Sequence, residues 1–344
     1  MSDTPDAPLD ARLRTVATAR HRTAFLEAGP PGGPLMILMH GWPELGLLWR
    51  HQLAHFAASG WHVVAPDMRG YGGSGVPDRI DAYAVPEIVA DMVELHDALG
   101  GAPAIWVGRD WGSPVLWGIA SHHRARCRGV VSMCVPYLAR GFTLATLVPL
   151  VDRAIYPADA FPVGQWDYWL HYREDFAAAA RCFEADIAAT MAALFRSGSR
   201  RAQGKPTITA DVRARGGWFD GAGRAPDAPR HAHLMPDADF AVLVAAFAAT
   251  GLRGANAWYC NDVPNAAYAA AAPDFGRLTL PVLFLHAALD TVCQTVTGRL
   301  AEPMRADCTD LTEATIEAGH HLMLEKPAEV NAAIDGWLAA KSLA

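Results

Sequence analysis

The chain has 344 residues, 51% hydrophobic and 19% charged, enough apolar sequence for a sizeable core in two domains or in one large domain with an insertion. A net charge of -7 and an isoelectric point near 6.0 argue against a nucleic-acid partner. Six cysteines (127, 134, 182, 260, 293, 308) form no paired framework, the acidic, Pro-containing start is wrong for a signal peptide, and the most apolar stretch, residues 142–151, is too short to span a bilayer; a cytoplasmic protein without a membrane partner is expected.

Residues 1 to about 10 read as disordered. Strand-like runs follow at 12–17 and 23–28, then a Gly/Pro turn at 29–34. Residues 35–39 read as a buried strand ending in His40-Gly41-Trp42-Pro43-Glu44. A helix is expected over 47–58, a strand over 61–65, a Gly-rich loop over 66–74 and a helix over 86–99. The apolar run 104–107 reads as a strand, 115–125 as a helix and 129–135 as a strand. Alternation stops at Pro136; residues 137–273 are helical, Ala-rich and loop-rich. It resumes with a strand at 280–285, a helix at 294–301, a strand at 310–316 and a helix at 327–340. Such alternation implies an α/β fold, a mostly parallel, doubly wound sheet with helices on both faces. The reading is a core of residues 1–136 and 274–344 and an inserted helical cap of residues 137–273 over its active end.

The organising stretch is Gly108-Arg109-Asp110-Trp111-Gly112. Glycines on either side of one residue permit a tight, strained strand-to-helix turn that thrusts the central side chain out at the carboxyl end of a sheet. An attacking carboxylate there would form an ester with a carbon bearing a leaving group or a strained ring. Hydrolysing that ester requires water activated by a His that an acid orients. After the strand at 280–285 comes Asp290; after the strand at 310–316 comes Gly319-His320-His321. Asp290 and His320 therefore stand as acid and base, with His321 as the rival base and His286 as a neighbour at a strand end.

His40-Gly41-Trp42-Pro43, Asp67-x-Arg69-Gly70-Tyr71-Gly72-x-Ser74, Gly108-x-Asp110-Trp111-Gly112 and Gly319-His320, in that order, resemble the soluble epoxide hydrolases of the α/β-hydrolase superfamily, over roughly residues 12–342. In most of that superfamily the elbow residue is Ser; here it is Asp110. The resemblance implies the α/β-hydrolase fold and places His40 and Pro43 in the turn that shapes an oxyanion hole, with the backbone N–H groups of Trp42 and Trp111 as its donors. It makes Trp42-Pro43 a candidate cis peptide. It also implies two cap tyrosines that hold the epoxide oxygen. Trp166-Asp167-Tyr168-Trp169 and Trp258-Tyr259-Cys260-Asn261 match them, with Tyr168 and Tyr259 in the functional places and Tyr172 as an alternative to Tyr168.

Several positions depart from the family pattern. Arg109 stands where His is usual, Trp169 where a polar residue is frequent, and His321 where an aromatic is common. Glu44 and Arg109 are expected to form a partly buried ion pair that steadies the elbow; the alternative has Arg109 in the pocket, binding an anionic substrate. The expected activity is hydrolysis of an apolar small-molecule epoxide to a vicinal diol, with no cofactor, no metal and a monomer or homodimer. A haloalkane or haloacid dehalogenase with the same Asp nucleophile is the alternative, and a ligand-binding protein that keeps the hydrolase shell is a third reading.

Overall fold

The computed structural model describes residues 9–343; the expectation of disorder at the start concerns chiefly residues outside that range. Eight strands form one sheet: β1 (Arg12–Ala17), β2 (Arg22–Ala28), β3 (Leu35–Met39), β4 (His62–Pro66), β5 (Ala104–Arg109), β6 (Cys127–Met133), β7 (Val282–Ala287) and β8 (Leu311–Ile316). Their order is β1-β2-β4-β3-β5-β6-β7-β8. β1 and β2 pair antiparallel, as do β2 and β4; every later pair is parallel. The strands β3, β4, β5 and β7 are buried at every position, which is why they read as unbroken apolar runs: both faces of a parallel sheet are covered. At the sheet's edge β1 is mostly exposed and carries Arg12 and Arg14.

Three helices connect the strands from β3 to β6: α1 (Arg50–Ala58), α2 (Val85–Ala98) and α3 (Gly112–His122). The third starts three residues before the expected 115, because Pro114 sits in the first turn, where a missing N–H costs no hydrogen bond.

Between β6 and β7 the described residues are helical and irregular, without a strand in the sheet. Helices Asp167–Glu174, Phe176–Glu184, Ile187–Leu194, Asp237–Thr250 and Asp262–Ala270 carry most of this segment. Trp258 ties it to the core by donating from Nε1 to the carbonyl of Arg69, in the Gly-rich loop, at 3.1 Å. Among the described residues no single helix is long and apolar enough to cross a membrane.

Two expectations fail after β6. The strand expected at 280–285 lies at Val282–Ala287, which puts His286 inside it. There His286 meets Thr295 Oγ1 and Glu313 Oε1, each at 2.9 Å, and turns away from the elbow. The helix expected at 294–301 is a chain of turns, and a short helix forms instead at Glu302–Asp307. The cause is local: Asp290 Oδ1 accepts the N–H groups of Val292 and Cys293, Thr295 is held by His286, and Thr291, Val292, Thr295, Val296 and Thr297 are β-branched.

Candidate active site

The elbow is built as its spacing requires. β5 ends at Arg109, α3 begins at Gly112, and Asp110 between them has φ of +50°, a left-handed conformation that costs a non-glycine residue energy. A Cβ on Gly112 would lie 2.2 Å from the Met39 carbonyl oxygen, and one on Gly41 would lie 2.3 Å from the Asp110 Cβ. Only glycine lets the β3 turn, the elbow and the start of α3 approach this closely.

Each oxygen of Asp110 has its own neighbour. Oδ1 accepts the Trp42 N–H at 2.7 Å, and Oδ2 lies 3.3 Å from His320 Nε2. The Trp42–Pro43 bond is cis, and Trp111 caps the N-terminus of α3. His320 Nδ1 is 2.6 Å from Asp290 Oδ2. Burial alone would raise the Asp290 pKa, but His320 and the N–H groups of Val292 and Cys293 hold it at about 2. Burial likewise disfavours an imidazolium at His320, yet Asp290 and the hydrogen bond to Asp110 push its pKa well above the ordinary value. The pairing fixes the tautomer: an ionised Asp290 only accepts, so Nδ1 carries a proton and Nε2 faces Asp110.

Arg109 is fully buried and closed off from the cavity, so it cannot bind an anionic substrate. Its Nη1 pairs with Glu44, equally buried, where a partly buried pair was expected. Glu44 Oε2 accepts the Gly41 N–H at 2.9 Å. Arg109 and the Gly41 N–H outweigh burial and hold Glu44 well below the usual carboxylate range. His321 stacks on Phe195 with ring centroids 4.5 Å apart, filling the aromatic's place. It lies 3.1 Å from Arg109 Nη2, and burial beside that cation lowers its pKa to about 4. It is thus a neutral partner of Arg109, and His320 alone of the two reaches Asp110. His40 accepts the Met68 N–H at Nε2 and donates from Nδ1 to the Gly41 carbonyl at 2.8 Å, which makes it a neutral strut of the turn.

Above the elbow lies a cavity of about 500 Å³ whose wall includes Trp42, Asp110, Tyr168, Trp218, Tyr259 and His320. The rings of Tyr168 and Tyr259 are 5.3 Å apart. Burial raises both phenols well above their usual pKa, with the negative charge of Asp110 adding to it, so both stay protonated in the cavity wall they share with Asp110. Tyr172 packs against Tyr259 at 4.9 Å and against Trp42 at 6.4 Å. Trp169 stacks on Trp111 at 5.4 Å and is fully buried, so it supports that indole. Cys134, Asp290 and His320 have potential metal-ligand atoms within 4.8 Å of one another. They fit a metal poorly: Asp290 and His320 are bonded to each other, and burial raises the Cys134 pKa, keeping a protonated thiol that donates to the His320 carbonyl at 3.4 Å.

Two features escaped the sequence reading. The segment Ser197-Gly198-Ser199 forms part of the cavity wall, and Glu325 Oε2 accepts N–H groups from both Gly198 (2.9 Å) and Gly319 (3.0 Å). Asn256 Oδ1 receives the Trp42 indole N–H at 3.1 Å. A carboxylate five residues after the His and one before Lys326-Pro327 was the visible signal for Glu325.

The sequence model of the alpha/beta hydrolase fold matches residues 34–327. Epoxide hydrolase A of Mycobacterium tuberculosis is 34% identical over 96% of this chain and 98% of its own length. The solved structure of epoxide hydrolase A from Mycobacterium thermoresistibile shares 31% identity and a TM-score of 0.77, covering 96% of this chain and 98% of that one. An epoxide hydrolase from an endophytic Streptomyces shares 30% identity and a TM-score of 0.77, covering 96% and 95%. Fold and site thus define an α/β hydrolase with an Asp at its elbow. The chain belongs to the α/β-hydrolase fold family and, within it, to the epoxide hydrolases.

Proposed function

We propose that the protein opens an epoxide to a vicinal diol through a covalent ester on Asp110, using a core of residues 1–136 and 274–344 and a cap of residues 137–273. The observation that carries this is one carboxylate with two differentiated oxygens lining the same cavity as two protonated phenols. Oδ2 attacks a ring carbon from the face opposite its C–O bond. That bond breaks, and the ring oxygen takes a proton from Tyr168 or Tyr259. Oδ1 becomes the ester carbonyl oxygen, already beside the Trp42 N–H.

Ester formation removes the negative charge that helps hold a second proton on His320. The imidazolium then gives up its Nε2 proton, which restores the phenolate left by ring opening, and becomes a base. It takes a proton from water as the water oxygen attacks the Asp110 Cγ. The tetrahedral oxyanion sits at the N–H groups of Trp42 and Trp111; each such donor is typically worth about 2.7–4 kcal/mol. Collapse breaks the ester C–O bond, the leaving alkoxide takes the proton from His320, and the Asp110 carboxyl hands its own proton back to the imidazole, so epoxide and water leave as diol and the carboxylate is restored. Two phenols suit an oxygen leaving group that needs a proton, which favours an epoxide over a haloalkane. A cytoplasmic setting fits the six free cysteines.

The test is the origin of the oxygen. With enzyme in excess over styrene oxide in ¹⁸O-water, the diol carries unlabelled oxygen and the label enters the Asp110 peptide. Label in the diol after a single turnover would reject the ester.

A further inference from the structure

The cavity has two ends of different chemistry. Around Asp110 the wall is aromatic; where it reaches the exposed Ser199 and Lys205 it is formed by Arg196, Ser197, Ser199, Lys205 and Thr207. These residues belong to a stretch without a single acid: from 187 to 210 there is no Asp or Glu, but there are Arg196, Arg200, Arg201 and Lys205, in a chain of net charge -7. Only Arg200 of the four has a carboxylate partner among the described residues, Glu317. Arg196 spends Nη1 on the Pro229 carbonyl at 2.6 Å, a neutral acceptor that leaves its charge uncompensated. Lys205 is exposed, is one of three lysines in the chain, and has no ion partner among the described residues, whereas Lys326 pairs with Glu329 and Lys341 with Asp310. The carboxylates in the wall, Asp110 and Asp290, are both engaged with His320.

We infer that this exposed end is an anion subsite, with Lys205 and Arg196 receiving a negatively charged group at the far end of the substrate while its epoxide lies over Asp110. This rests on the proposed epoxide chemistry and narrows the substrate to an epoxide that carries an anion, a carboxylate being the simplest. A cleft lined by one sign of charge also concentrates such substrates before they bind. The attraction is screened, because Lys205 is exposed, so its effect is modest and salt-dependent.

The experiment compares a straight-chain ω-epoxy carboxylic acid with its methyl ester, identical at the reacting end. The readout is the ratio of kcat/KM for acid over ester. In the parent at low salt the acid is favoured by about two- to fivefold, the scale of an exposed ion pair, and the preference shrinks as salt rises. Lys205→Glu brings the ratio below one, and Arg196→Gln lowers it. Lys341→Glu, the same charge change at the opposite end of the sheet, leaves the ratio as in the parent. Equal rates for acid and ester in the parent, or a ratio indifferent to Lys205→Glu, overturn the subsite while ester turnover still supports the epoxide reading. No diol from either compound would count instead against the proposed function.

Discussion

Arg109 grips the backbone carbonyl of His320 with two N–H groups, Nε at 3.0 Å and Nη2 at 2.8 Å. Its remaining arm pairs with Glu44, which in turn holds the Gly41 N–H next to Trp42. One buried guanidinium thus joins the turn that binds Asp110 Oδ1 to the loop that carries the base. Removing one partner of such a pair leaves the other charge buried and uncompensated, at a cost of about 3–5 kcal/mol. Glu44→Gln should therefore lower the unfolding free energy measured in urea by that scale. Arg109→Lys should also destabilise, since an ammonium cannot reproduce the planar fork. A Glu44→Gln protein as stable as the parent would refute the role of the pair.

The two phenols are expected to act on ester formation and not on its hydrolysis. Tyr168→Phe and Tyr259→Phe, each alone, should slow alkylation of Asp110 by about 10²–10³-fold, the usual loss for one oxyanion-type donor. Rapid-quench measurement of ester formation checks this. Tyr172→Phe should have a much smaller effect; the reverse ranking would show that Tyr172 holds the oxygen.

His321 sets a pH signature. Its pKa is lowered from 6.5 to about 4 in the folded protein, so between those values the unfolded chain binds the extra proton. Stability contributed by neutral His321 is present above pH 6.5 and is lost as pH falls through about 4. His321→Phe keeps the stacking on Phe195 and removes this titration. Near pH 5 its stability should fall less steeply than the parent's, by about 1.4 kcal/mol per pH unit, one proton's worth. Parallel slopes in urea titrations would count against the sealed, neutral His321.

Much of this site can be read from the sequence because its parts sit at strand ends, where apolar runs stop and glycines mark turns. Asp110, Asp290 and His320 each follow such a run, and the structure brings them within hydrogen-bonding reach. The residues 294–301 misled because their apolar spacing resembles a helix, whereas Asp290 and His286 claim the local backbone and Thr295 for themselves. Arg109 was ambiguous for another reason: a charged residue before the elbow fits a pocket or an ion pair equally well until the position of Glu44 is known. Glu325 went unseen because its two partners, Gly198 and Gly319, are far apart in the chain.

Glu325 should prove to be a positioning residue that pins the 197–199 segment to the His320 loop. Hydrogen bonds to a charged acceptor are worth about 1.5–3 kcal/mol. Glu325→Ala should therefore speed amide exchange at Gly198 and Gly319 by about tenfold or more while β5 stays protected. Unchanged exchange at both glycines would contradict that role.

The central claim is a covalent bond between Asp110 and the substrate, and one measurement reaches it directly. His320→Gln removes the base needed for ester hydrolysis and leaves the carboxylate, the Trp42 N–H and the phenols in place. Mixed with styrene oxide, this variant should gain the mass of one substrate molecule, and peptide mapping should find it on Asp110. A protein of unchanged mass, or one modified at another residue, would contradict the account.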